Sequence, residues 1–208
     1  MQPTPAQTLS NLRRTIFLIS MPFFILELML PVYGKQIGAS VVEIGLFFSA
    51  FSLMTVILRP LVGWGLDHFG RRNFFIAGLA GYAITMVSFA FIDQVWGIVL
   101  ARIFQGISSS LLWLSASAIT ADMAGEQERG NSFGKITQAS SQGSIVGTFL
   151  GFILLNESIS INGQETHIGS WMILFSRLWG NQPVRLIFWN TQPARDKTYH
   201  NRKGIHIH

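Results

Sequence analysis

Five stretches of mostly apolar residues, each close to the length that crosses a bilayer, run through this chain. They are Thr15 to Tyr33, Val42 to Trp64, Phe74 to Ile92, Trp96 to Ala121, and Ile136 to Leu155, the last more polar than the rest. A helical span needs about 20 such residues, and in hydrocarbon the backbone must satisfy its own hydrogen bonds. A sixth run opens at Ser170-Trp171-Met172-Ile173-Leu174-Phe175 and stops; Arg177 to His208 is polar, basic and aperiodic. Composition agrees with this reading. Of 208 residues, 49% are hydrophobic and 12% charged, where a soluble domain has about a quarter charged. An all-α membrane protein is predicted, with five clear spans and an incomplete sixth. The first run follows Arg13 and Arg14 as a secretory leader would, but it is long, contains Glu27, lacks a small-x-small cleavage site and precedes further spans.

The net charge of +5 is local. Nine Lys/Arg balance nine Asp/Glu from Met1 to Ser176, whereas Arg177, Arg185, Arg195, Lys197, Arg202 and Lys203 face only Asp196. A basic tail is a weak nucleic-acid signal, and no nucleic-acid partner is expected. Arg13 and Arg14, Arg71 and Arg72, and Arg129 and Lys135 fall in alternate connections, with Lys35, Asp93, and Glu157 with Glu165 in the opposite ones. The positive-inside bias then puts the amino terminus in the cytoplasm of a multi-pass protein of the cell (plasma or inner) membrane. There is no cysteine, hence neither disulfides nor thiolate metal sites. His206-x-His208 lies in the basic tail and is read as tail, so no metal is expected. The sequence has no nucleophile elbow, phosphate-binding loop or HExxH motif, and neither an enzyme nor a cofactor is predicted.

The segment Gly63-Trp64-Gly65-Leu66-Asp67-His68-Phe69-Gly70-Arg71-Arg72 places charges between the second and third runs, where they must reach the membrane surface. Its glycines suit a tight turn. The spacing G-x-x-x-D-x-x-G-R-R resembles the signature loop between the second and third helices of the major facilitator superfamily of transporters. The resemblance implies that Gly63, Asp67, Gly70, Arg71 and Arg72 form a gating loop whose charge network holds the inward-closed state and switches during transport. His68 stands where the family usually has Arg or Lys, which makes that charge pH-dependent. A plain positive-inside anchor explains Arg71 and Arg72 but not the placed Asp and glycines.

Two further segments extend the resemblance. Arg102-x-x-Gln105-Gly106 in the fourth run is similar to the family's fourth-helix pattern, in which proton-coupled members are thought to use the Arg. An Arg paired with a buried acid for packing alone is the other reading. Gly143-x-x-x-Gly147-Thr148-x-x-Gly151 resembles the fifth-helix motif of the antiporters, with Thr148 in place of its proline; small residues four apart read first as helix packing. Asp122 and Glu128-Arg129-Gly130 look like the family's connection between helices four and five, where Arg129 is expected to meet Asp67. Glu27, well inside the first run, is costly there as an anion and is a candidate proton or cationic-substrate group. Arg59, near the end of the second run, is expected to snorkel to the interface, and Glu43 to lie at the surface.

The resemblance covers about Thr15 to Phe175 and implies the amino-terminal six-helix half of a twelve-helix transporter, residues 1–176, followed by an aberrant basic tail, 177–208. A frameshift is expected to have truncated the parent. Read one base later, the codons of Arg177 to Trp189 permit an apolar span. The same shift at Pro193 to Tyr199 permits Leu-Pro-Glu-Thr-Lys-Pro, which resembles the phrase after the family's sixth helix. The implied function is secondary active transport of a small solute, coupled to protons, by alternating access in the intact parent. Its partners are membrane lipid, the solute, protons, and a missing carboxy-terminal bundle or a second copy. The alternatives are a non-transporting membrane fragment and a half-size protein that dimerises.

Overall fold

The computed structural model describes residues 4–160, with side-chain environments through Ile153. Five helices make up this part: α1 Pro5–Gln36, α2 Val41–Phe69, α3 Arg71–Phe89, α4 Val95–Met123 and α5 Arg129–Ser160, with a 3-10 turn Glu126–Glu128 before α5. All five predicted spans are helices, extended beyond their apolar limits at most ends. Among the described residues, α1, α2 and α4 are long and apolar enough to cross a membrane on their own. The other two are less apolar for visible reasons: α3 opens with Arg71, Arg72 and Asn73, and α5 carries Gln138, Ser140, Ser141 and Gln142. Glu157 falls on α5 and not in the connection after it. The expected sixth helix, the tail and the frameshift lie outside the described residues.

Local chemistry sets the helix starts. Thr4 caps α1 in a reciprocal box with Gln7, with Pro5 at the first helical position where its missing N–H costs nothing. Ser40 and Glu43 make the same box for α2: the Ser40 backbone N–H donates to Glu43 at 2.8 Å, and Ser40 Oγ accepts from the Glu43 N–H. Glu43 is thus a capping residue.

Leu12, Ile16, Ile19, Leu26, Leu30 and Tyr33 recur along one face of α1 and are buried, the spacing of a helix packed on one side. That helix lies mainly along α5, while α4 packs against both α2 and α3. In the most apolar window of α4, 56% of residues are buried, against 11% in α2. So α4 is central and α2 peripheral. On the rim, Leu53, Val56, Ile57 and Leu61 of α2 and Phe149 and Phe152 of α5 are exposed, a surface that suits lipid or a second apolar bundle and not water. Four buried hydroxyls on α4 are satisfied: Ser108, Ser115 and Thr120 donate to carbonyls one turn back, and Ser110 donates to the Thr55 carbonyl of α2.

The signature segment is a helix end and not an extended loop. Helix α2 continues through Phe69, and Gly70 alone separates it from α3. Gly70 has φ 85° and ψ 144°, a backbone region essentially confined to glycine. Gly63 and Gly65 are helical; a Cβ at Gly65 would strike the Phe74 ring, so that glycine serves the packing of α3 on α2. Gly70→Ala is therefore expected to cost about 1–3 kcal/mol, seen as a lower thermal unfolding midpoint in detergent micelles, whereas Gly63→Ala, with open space around it, should leave the midpoint unchanged or raised.

Candidate functional site

Helix α4 carries two charge centres 20 residues apart, Arg102 and Asp122, which separates them by about 30 Å along the axis. That distance is close to the thickness of a hydrocarbon core. Each centre pairs with a residue from another helix.

At the inner centre, Arg102 is fully buried and every face of its guanidinium is occupied. Nη2 donates to Glu27 Oε1 of α1 at 2.8 Å, Nη1 donates to Gln105 Oε1 one turn on at 2.8 Å, and Nε donates to the Phe47 carbonyl of α2 at 3.1 Å. The plane lies over the Phe51 and Phe48 rings, 4.8 and 5.2 Å from their centroids, where the π faces favour a cation. Residues read separately in the sequence, Glu27 and Arg102, thus form one ion pair. The pair is asymmetric: the Arg102 side chain is 0% exposed and that of Glu27 is 22%. The carboxylate is thus the member of the pair on the open side.

Gly106, the last member of the Arg102-x-x-Gln105-Gly106 pattern, has a structural reason. A Cβ there would lie 2.8 Å from the Phe51 carbonyl oxygen and 2.8 Å from Met54 Cβ. Its absence lets α4 approach α2 closely enough for Arg102 to reach the Phe47 carbonyl. Phe23, Phe24 and Phe51 continue the aromatic wall, with Phe23 5.2 Å from Phe24 and 5.6 Å from Phe51 between ring centroids.

Sequence reasoning missed Tyr82 of α3. It is buried, its hydroxyl lies beside Gln105, and Glu27 and Arg102 are within electrostatic reach. The available signal was a phenol hydroxyl in the middle of the third apolar run.

At the outer centre, Arg71 Nε meets Asp122 Oδ2 at 2.5 Å, with both side chains more than a third exposed. Exposed pairs of this kind contribute about 0–1 kcal/mol, so this contact positions helices more than it stabilises them. The expected meeting of Arg129 with Asp67 does not occur among the described residues: Asp122 takes Arg71, because the single-residue break at Gly70 starts α3 directly beside the end of α4. His68 lies on the Trp64 ring and its Nδ1 is 2.9 Å from the Trp64 carbonyl oxygen. Arg59 is exposed.

The third group lies on α5. Gly143 and Gly147 stand directly against the backbone carbonyls of Phe17 and Met21 on α1, and a Cβ at Gly151 would be 3.2 Å from Leu28 Cδ2. Ser20 and Ser140 bond across the same seam at 3.1 Å.

A helical bundle with a buried ion pair between its first and fourth helices, an arginine-anchored break between its second and third and a glycine seam in its fifth defines one half of a secondary transporter fold. The sequence pattern of the Major Facilitator Superfamily matches residues 15–176, and the chain belongs to that family. It is a multi-pass membrane protein. An uncharacterized MFS-type transporter of Methanocaldococcus jannaschii is 30% identical over 125 residues, 60% of this chain and 32% of the relative. The quinolone resistance protein NorA of Staphylococcus aureus is 26% identical over 136 residues, 65% of this chain and 35% of the relative. The human organic anion transporter MFSD10 shares the fold with a TM-score of 0.68 at 22% identity, over 92% of this chain and 48% of its own. The chain spans about a third of the curated relatives' length and about half of that structural neighbour's.

Proposed function

We propose that this chain supplies the amino-terminal bundle of a secondary transporter that moves a small solute, coupled to protons, by alternating access. The observation that carries the reading is the Glu27–Arg102 pair: an ionised pair inside a membrane bundle is expensive and marks an ion or substrate pathway. Its members divide the work. Arg102 is held on three sides and acts as the fixed cation. Glu27, reachable from the open side, is the group that takes the proton or meets a charged solute. Loss of its charge leaves Arg102 without a counter-ion, which biases the packing of α1 on α4 and links occupancy to rocking of the bundle. At the other end, Asp67, Gly70, Arg71 and Arg72, with Asp122 and Arg129, are proposed to gate on the cytoplasmic side, with the amino terminus in the cytoplasm. Gly143, Gly147 and Gly151 hold α1 to α5 as the bundle moves.

The share of its relatives that the chain spans supports an active unit of two bundles, either with a carboxy-terminal bundle or with a second copy. In this reading residues 1–176 form the bundle and 177–208 a basic segment beyond it. The sequence contains no cysteine, so one introduced at the exposed Leu53 of α2 reports assembly cleanly. A discrete cross-linked dimer favours the second copy; a monomer favours a separate bundle. Function is tested in vesicles holding that assembly, with a quinolone and a small organic anion as first probes. Movement of either that follows an imposed pH gradient is expected; movement of a transported probe that ignores the gradient would contradict proton coupling.

A further inference from the structure

Among the described residues, two buried polar atoms at the inner centre have no hydrogen-bond partner, Tyr82 Oη and Gln105 Nε2. Tyr82 is 3% exposed and Gln105 0%. They belong to neighbouring helices that meet at Gly78 against Leu112 and at Gly81 against Ser108, the part of the seam next to Tyr82 and Gln105, and the Gln105 amide falls beside the Tyr82 hydroxyl. Leaving both atoms unpaired in an apolar interior is costly, and pairing one with the other removes that cost.

The orientation of Gln105 is already decided. Its Oε1 accepts from Arg102 Nη1 at 2.8 Å, so its Nε2 must donate elsewhere. The adjacent phenol oxygen supplies an acceptor. We propose that Tyr82 is a positioning residue for the Glu27–Arg102 pair. Its oxygen accepts from Gln105 Nε2, which fixes the amide with Oε1 on Arg102 and leaves Nη2 aimed at Glu27. The chain of contacts runs Tyr82 of α3, Gln105 and Arg102 of α4, Glu27 of α1, so a helix packed on the far side of α4 takes part in holding the charge pair. Without the phenol oxygen, Gln105 is free to turn its amide, and an N–H pointed at the guanidinium repels it. The structural effect follows from this geometry alone; its consequence for transport rests on Glu27 being the coupling group.

The test is side-chain NMR of the full 208-residue chain in lipid nanodiscs, a readout independent of transport. In the unmodified chain, the Gln105 side-chain amide protons should give cross-peaks to the Tyr82 ring, and the Arg102 guanidinium, assigned by its loss in Arg102→Lys, should show separate, slowly exchanging Nη–H signals. Tyr82→Phe keeps the ring and removes the oxygen. It should collapse the separate Arg102 signals while the backbone amide spectrum stays native-like; Gln105→Leu should collapse them as well, and the double variant should add nothing. Absence of the Gln105–Tyr82 cross-peaks in the unmodified chain, which requires no variant to fold, would overturn the proposal. So would a folded Tyr82→Phe with unchanged Arg102 signals.

Discussion

Glu27→Leu is expected to destabilise the bundle by about 3–5 kcal/mol, the cost typical of removing one partner from a buried ion pair. The reason is what stays behind. Arg102 is 0% exposed and cannot follow its charge to water, since its Nε and Nη1 remain tied to the Phe47 carbonyl and Gln105. Arg102→Leu should cost less, about 2 kcal/mol, because the Glu27 side chain left behind is 22% exposed and can be hydrated from the open side. The double replacement should recover much of the loss, since an apolar pair of similar volume often replaces a buried ion pair without penalty; Gln105, deprived of Arg102, keeps the recovery incomplete. Unfolding of the three variants in mixed micelles gives this order directly. A Glu27→Leu variant as stable as the parent would mean that the pair does not form.

The glycine seam supplies the second large effect. At Gly147 an added methyl meets the Met21 carbonyl of α1, and at Gly143 that of Phe17. Both neighbours are backbone, so neither can swing aside and the helices must separate. Gly147→Ala is expected to cost about 3 kcal/mol, the upper part of the range for overpacking, with Gly143→Ala close behind. Gly151→Ala should cost less, because its nearest neighbour is the tip of the Leu28 side chain. Gly134→Ala on the same helix meets open space and should gain up to about 1 kcal/mol from helix propensity alone. This gradient separates a close-packing role from a general dislike of alanine in α5. Equal effects at Gly134 and Gly147 would contradict it.

Much of the architecture was legible because lipid leaves few choices. Runs of apolar residues had to become helices, whereas the capping boxes at Thr4 and Ser40 that set two of their starts emerge only in the structure. The extent of α2 was less legible: Asp67 and His68 read as loop, yet near a membrane surface charged residues can stay helical, and only Gly70 needs a conformation that ends the helix. For the inner site, Glu27, Arg102 and Gln105 were each visible as polar residues in apolar runs. That the first two pair was not, because 75 residues separate them and only the packing of α1 against α4 brings them together. Tyr82 was harder still, since a tyrosine in an apolar helix reads as core until its hydroxyl is seen beside Gln105. At the outer site, sequence joined Arg129 to Asp67, and the short α2–α3 connection gave Asp122 to Arg71 instead.

Solute-coupled proton flux in proteoliposomes, measured for the two-bundle assembly and for its Glu27→Gln form, tests the central claim most directly. Gln keeps an acceptor for Arg102 Nη2 and so preserves much of the fold, but it cannot exchange a proton. The expected result is a loss of coupled flux of at least about 100-fold, the lower end of what a positioned proton-transfer group contributes to a reaction, with the assembly still folded and inserted. Coupled flux at the parental rate, with the same dependence on pH, would contradict the account.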